Sequence, residues 1–411
     1  MGQTHVTLFR QGLQAVFLSV SVVLGACGDQ GARSLAIVRD SAGLRIVENP
    51  AVPWEDLLRW QVDSAPWLSI GVVEGDPAYQ LFRVTGAVRL SDGRMAVANA
   101  GTQEIRVYDP RGVHVISLGG EGEGPGEFKG LRRMLRLQAD SLLAHDWRQS
   151  RMTLFAPDGR LVRTWRVGEL APFQIPPPIG RLAGGDFVAH IESWGAEPPG
   201  LIEYTTTLVR YSHDGNVLDT IVRSPGGHGY YDWCGPDRRA MCQLHLPFRR
   251  EGHAAVYGAR LLVGNGERYE IRSIDVNGRL VELWRRLGPL RSVTDRDLEQ
   301  DRAALLALAR TDERRRTLEQ QYAQVPVPDV MPAFSDLLVD SEGNLWVEEY
   351  RPRAETRSRF TVFDSLGQIV GAALMPEGLE VLDIGRDYVL GLWRDEADVE
   401  FIHVHSLRRP R

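Results

Sequence analysis

One stretch, Leu90 to Phe128, constrains this chain more than any other. It carries short β-prone runs cut by turns: Ser91-Asp92-Gly93 before Arg94 to Ala98, Asn99 to Thr102 before Glu104 to Tyr108, and Asp109-Pro110-Arg111-Gly112 before Val113 to Leu118. Alternation at period 2, broken by Gly, Pro, Asn and Asp, is the sequence form of an antiparallel meander. A lone meander leaves both faces uncovered, so it needs neighbours like itself.

The chain supplies them. The unit recurs at Leu137–Trp165, Ala259–Leu287 and Asp340–Leu374, with looser copies at Leu182–Val222 and Asp383–Leu407. In three copies the register holds to the residue: Asn99 to Tyr108, Asp146 to Phe155 and Asn265 to Ile274 are each nine apart. Six units of about 40 residues imply radial repetition, hence an all-β, six-bladed β-propeller with a short α-helical insertion.

The run Val97-Ala98-Asn99-Ala100-Gly101-Thr102-Gln103-Glu104-Ile105-Arg106-Val107-Tyr108 resembles an NHL-type blade, whose pattern is V-A-D-S-x-N-x-R-I-x-V-F. The exit Gly122-Glu123-Gly124-Pro125-Gly126-Glu127-Phe128 is similar to that of bacterial six-bladed propeller proteins, many of them lipoproteins. Asn99 replaces the pattern's Asp and Glu104 its Arg, whereas Asp146 and Arg151 of the next unit keep both. The resemblance covers Leu44 to the C-terminus as architecture. It implies a fold rather than a chemistry, because this fold hosts many activities.

Residues 1–27 have the layout of a targeting segment: Arg10, an apolar run from Leu13 to Val23, and small residues before Cys27. Leu24-Gly25-Ala26-Cys27 resembles a bacterial lipobox, which implies lipidation of Cys27; an ordinary secretory signal with an incidental cysteine is the other reading. Residues 28–43 then form a tether, and 44–411 the propeller. Leu44 to Glu48 is expected as an outer strand closing the ring, and Trp54, Trp60 and Trp67 as core aromatics. Localisation follows as a lipid-anchored protein of the bacterial envelope, periplasmic or surface-exposed. Gly28, not an acid, follows Cys27, so the enteric rule for inner-membrane retention is not met.

A net charge of −6 with interspersed signs gives no basic face for nucleic acid. Cys234 and Cys242, in an insertion at residues 224–247, have two readings. In an exported protein they form a disulfide pinning the loop; with His228 and His245 they instead form a metal site, although the spacing fits no common zinc pattern. His228, Tyr230, Tyr231 and Trp233 make this loop a candidate contact surface. Residues 294–324 read as helical, with Thr294 and Asp297 as a capping box, a break near Thr311-Asp312 and an apolar stripe of Leu298, Leu305, Leu308, Leu318 and Tyr322. Such an insertion either packs on the ring or serves as a lid or docking helix.

Asn99, Asp146, Asn265 and Glu349 share one position in their units; Ile191, flanked by His190 and Glu192, and Trp393 hold it in the looser copies. Four such oxygens suit calcium, and six-bladed lactonases resemble this arrangement. Strand-end Asn and Asp equally well bond the next turn's N–H groups. No G-x-S-x-G or H-E-x-x-H motif occurs, and the histidines are dispersed apart from His403 and His405. The expectation is a monomeric binding or scaffold protein without a cofactor, holding an envelope protein, peptide, glycan or small molecule; the alternative is a calcium-dependent propeller hydrolase or lyase.

Overall fold

The nine-residue spacing becomes strand, turn, strand. Met95–Asn99 pairs with Glu104–Tyr108, Met95 opposite Tyr108 and Asn99 opposite Glu104. Leu142–Asp146 and Arg151–Phe155 pair in the same frame, and Arg260–Gly264 and Glu270–Asp275 set Leu261 opposite Ile274. Period-2 alternation buries both faces here, since every residue of Met95–Asn99 is buried. That is why these strands are largely apolar rather than alternating. The computed structural model describes residues 36–57, 59–168, 177–193, 195, 199–234, 237 and 239–409. The targeting segment, Cys27 and the first part of the tether lie outside them.

Before each hairpin comes an inner strand: Val84–Arg89, Leu131–Arg136, Pro178–Arg181, His253–Tyr257, Phe334–Val339 and Glu380–Ile384. These stand side by side around a central bore, each touching the next; Ser341 N–H closes the circle on Ile384 O at 3.1 Å. Apolar cores fill the gaps between successive units. Ala98, Ile105 and Phe128 of the first meet Leu131, Leu142 and Phe155 of the second, while Leu182 and Leu208 meet Leu261 and Ile274. Gly119 is required at one such junction. Its φ is +91°, and a Cβ there would lie 2.4 Å from the Phe128 ring.

Among the described residues the strands form five hydrogen-bonded sheets, of six, four, five, nine and four strands. The nine-stranded sheet holds two of the sequence units. Arg59–Val62 joins them, lying parallel to Ile369–Leu374 and antiparallel to Glu400–Arg408. The protein is a β-propeller whose N-terminal strands are spent on its circumference. Leu44–Asn49 is an outer strand as expected, but it runs parallel to Leu280–Arg286 rather than closing the ring. Closure falls to Leu68–Ile70, which pairs with Glu400–Arg408. The expected tether is also shorter than 28–43, because Ile37–Ser41 folds back as a strand on Leu44–Asn49.

Two expectations about packing need correction. Only Trp60 of the three early tryptophans is core, edge-on to Trp346 at 5.0 Å. Trp54 is half-buried beneath the Arg59 guanidinium, and Trp67 is exposed. The helical insertion folds as α1, Asp295–Ala307, and α2, Asp312–Tyr322. Thr294 and Asp297 form the capping box and Thr311 caps α2. The buried stripe uses Leu305, Leu306 and Leu318; Leu308 faces solvent. Its position at the C-cap, where α1 turns away, removes it from the packed face. Among the described residues no helix is long and apolar enough to cross a membrane.

Candidate functional site

The inner strands begin on the face where the second strands end, since Val84 lies opposite Asn99, Leu131 opposite Asp146 and Phe334 opposite Glu349. The four repeated oxygen residues therefore share one face, but each is engaged by its own surroundings. Asn99 Oδ1 accepts from Phe82 N–H at 2.8 Å. Asp146 accepts from Lys129 N–H at 2.6 Å and Gln149 N–H at 3.0 Å. Asn265 donates to Gly226 O at 2.9 Å and accepts from Glu267 N–H at 3.2 Å. Glu349 Oε1 takes Thr361 Oγ1, Tyr269 OH and Arg286 Nη1 at 2.5, 2.8 and 3.0 Å. Among the described residues no three His, Cys, Asp or Glu side chains gather as a metal site. Asn99 and Asp146 thereby tie the end of their strand to the segment that leads into their unit's inner strand.

The same face carries both insertions. Strands Gly200–Tyr211 and Val217–Cys234 overshoot the ring, and Ala240–Leu244 adds to their edge. Cys234 and Cys242 form the disulfide, with Cα atoms 5.8 Å apart. The reading of these thiols as metal ligands is thereby overturned. What was expected as a loop at 224–247 is a pinned hairpin. Its base is anchored by Glu192, whose Oε1 accepts from Gly227 N–H at 2.9 Å and Gly252 N–H at 3.0 Å.

The hairpin's return meets the helices. Leu244 and Leu246 pack on Val325, with Tyr230 and Cys242 against them. His245 stacks on Tyr322, ring centres 6.1 Å apart, and its Nε2 lies 2.7 Å from Asp301 Oδ2. Burial and the Asp301 carboxylate hold the Tyr322 hydroxyl above the ordinary tyrosine range. Between hairpin, α1 and the inner-strand ends lies a cavity of about 460 Å³, lined by His245, Phe248, Arg249, His253, Tyr350 and Arg353 among others. Phe248 is held at φ +49°, a conformation uncommon for an aromatic residue. Its ring stands edge-on to Tyr350 at 6.4 Å. Burial, and the charges of Asp301 and Glu251, push the Tyr350 hydroxyl up to about 12.

Below the cavity the bore gathers titratable groups. His253 Nδ1 is 3.7 Å from Asp336 Oδ1. His190 Nε2 is buried without a hydrogen-bond partner; burial first, then the charges of His253 and Arg133, hold this ring down to about 4. Glu348, beside Asp336 and Arg351, is pushed above the usual carboxylate range by burial. A neutral imidazole, a carboxyl slow to ionise and several guanidiniums can bind polar ligands by directed hydrogen bonds and charge.

Of the contact residues read from the sequence, only Trp233 is exposed. His228 is buried, its Nδ1 accepting from Arg250 Nε at 3.2 Å. Tyr230 belongs to the hairpin–helix core, and the Tyr231 hydroxyl lies 2.9 Å from that of Tyr204. Trp393 stacks on His403 at 5.0 Å. The sequence did not mark Arg249, Asp301, Asp336, Tyr350 or Arg353. The single available signal was that two insertions interrupt the repeat between units that adjoin.

No protein-family model matches the chain, and no curated protein matches it. Solved structures do. A putative exported protein from Bacteroides fragilis is similar at 11% identity, with a TM-score of 0.50 over 89% of this chain and 100% of its own. A member of the duf4221 family from Bacteroides vulgatus follows at 10% identity and a TM-score of 0.44, covering 85% and 99%. Virginiamycin B lyase from Staphylococcus aureus stands at 8% and 0.39, covering 84% and 99%. The first likeness concerns the fold alone, and the other two are too loose to bear on chemistry.

Proposed function

We propose that this protein is an exported, lipid-anchored propeller of six blades that binds a peptide, glycan or small molecule at the mouth of its bore, as a monomer and without turnover. Counting the nine-stranded sheet as two blades joined by Arg59–Val62 supports the number six. The Cys234–Cys242 disulfide supports an oxidising compartment. Export is also the description given to the Bacteroides fragilis structure, and the lipobox at Cys27 is the basis for anchoring in the envelope.

One observation carries the binding reading: two insertions far apart in sequence meet through His245 and Asp301 and wall a cavity over the bore. A cleft with aromatic walls and a few convergent polar groups is the usual form of a ligand site. The rival reading, a calcium-dependent hydrolase using Asn99, Asp146, Asn265 and Glu349, has no comparable observation in its favour, since local bonds already occupy those oxygens.

The test is a peptide and glycan array probed with the protein from residue 36 onward, beside Tyr350→Ala and Arg353→Ala. Ligands that lose about tenfold or more in affinity with both variants support the mouth site; about 1.4 kcal/mol, one well-made contact, is enough for that change. Unchanged profiles reject it. Calcium-dependent turnover of lactones or esters, lost in Asp146→Ala, would favour the hydrolase instead.

A further inference from the structure

The lower end of the bore has a different character from its mouth. The inner strands that begin at His253 and Phe334 continue to Tyr257 and Val339. There, with the ends of Leu131–Arg136 and Pro178–Arg181, they enclose a cavity of about 670 Å³. Its charged lining consists of Arg133, Arg136 and Arg181, with no Asp or Glu among the lining residues.

Several arginines outside the bore are paired with acids. Arg285 pairs with Glu270 at 2.7 Å, Arg286 with Glu349 at 3.0 Å and Arg291 with Asp297 at 2.8 Å. Within the bore, the Arg133 guanidinium makes no hydrogen bond or ion pair to another described residue. Arg181 is held by one bond, Nε to Gly185 O at 3.0 Å, and lies 5.7 Å from the Phe187 ring centre. Arg136 donates to Arg89 O, and its nearest carboxylate is Asp140 at 3.9 Å. Asp383, whose charge also acts on Arg136, already accepts from Arg89 N–H at 3.0 Å and Tyr388 OH at 2.7 Å. Arg133 is walled by strands yet open to the water of the bore. Desolvation there lowers its pKa, and the charge of Asp336 offsets this in part.

Like charges kept together with little counter-charge cost stability, and a guanidinium's planar fork matches the two oxygens of a carboxylate or phosphate. We propose that the lower bore is an anion site, distinct from the mouth, in which Arg133, Arg136 and Arg181 receive the carboxylate or phosphate group of a small molecule. Arg133 makes the principal contact because its donors are uncommitted, and Arg181 the second through its free Nη groups. The two sites occupy opposite ends of the same inner strands, so a ligand at one does not obstruct the other.

Calorimetric titration at low ionic strength tests this, with inorganic phosphate and succinate as probes against wild type, Arg133→Gln, Arg181→Gln and the mouth variant Arg353→Ala. The expected result is saturable binding that weakens with added salt, falls tenfold or more in both bore variants and stays within twofold in Arg353→Ala. Phosphate binding tighter than succinate assigns a phosphate ester as the natural ligand; the reverse assigns a carboxylic acid. Absence of saturable binding of either anion to wild type overturns the proposal, as does affinity within twofold of wild type in both bore variants. Arg181→Gln keeps the test decisive if Arg133→Gln fails to fold. The array with Tyr350→Ala and Arg353→Ala is independent, so either site can fail while the other stands.

Discussion

The ring and its mouth use polar residues in opposite ways. In the ring the conspicuous residues repeat: Asn99, Asp146 and Asn265 recur in register, and each is spent on a neighbouring backbone group. At the mouth nothing repeats. His245 and Asp301 come from two unrelated insertions and meet once, and Arg249, Tyr350 and Arg353 line the cavity from different segments. Repetition marks what every blade needs, namely closure of a strand end. A ligand approaches one place, so the groups that could receive it need occur only once.

Acid is expected to strike the ring hardest. Burial holds His145 and His190 to about 4, below the ordinary 6.5, so folding favours the neutral rings. The stability they contribute is fully present above about pH 6.5 and is lost as pH falls towards 4. For His145 alone the loss is on the order of 3 kcal/mol. Urea unfolding between pH 7 and 4 measures it. His145→Leu should flatten the pH dependence at little cost at pH 7, because neither ring nitrogen has a partner. An unchanged slope in that variant would remove His145 from the account.

Next in size is Asp146→Ala, which strands the Lys129 and Gln149 N–H groups. We expect a loss of about 2–3 kcal/mol in the urea midpoint, with most of it recovered in Asp146→Asn. Retention of full stability in Asp146→Ala would break the comparison, because the ring acid would then be free for another purpose.

The mouth should show a smaller, local effect. A double-mutant cycle on His245→Ala and Asp301→Ala is expected to give a coupling of about 1–2 kcal/mol, with faster amide exchange confined to α1, α2 and the hairpin. Exchange rising across the ring as well would mean that the insertions brace the whole fold. The smallest expected effect is none: coincident melting curves in EDTA and in millimolar calcium. A calcium-induced rise lost in the Asp146→Ala, Glu349→Ala pair would return these residues to a metal role.

Much of the fold was legible because the repeat is local chemistry. Alternation, turn residues and a nine-residue frame are written within each unit, and the capping box at Thr294 announces α1 from four consecutive positions. The disulfide was legible for the same reason, with both cysteines on one hairpin. The contact residues proposed from the pinned loop were mostly misplaced, since aromatic and histidine side chains in a hairpin pack inward as readily as outward. His228 and Tyr230 did so.

The radial repetition, the strand frame, the insertions and their caps are written in the amino-acid order alone, because interactions between residues close in the chain set them. Folding of the whole chain was needed to show that Arg59–Val62 bridges two units, that Leu68–Ile70 closes the circle, and that His245 finds Asp301. It also placed Arg133, Arg136 and Arg181 around one cavity. These are contacts between segments tens to hundreds of residues apart. No periodicity links such segments, and they meet only because the ring's curvature brings the ends of separate strands to a common bore.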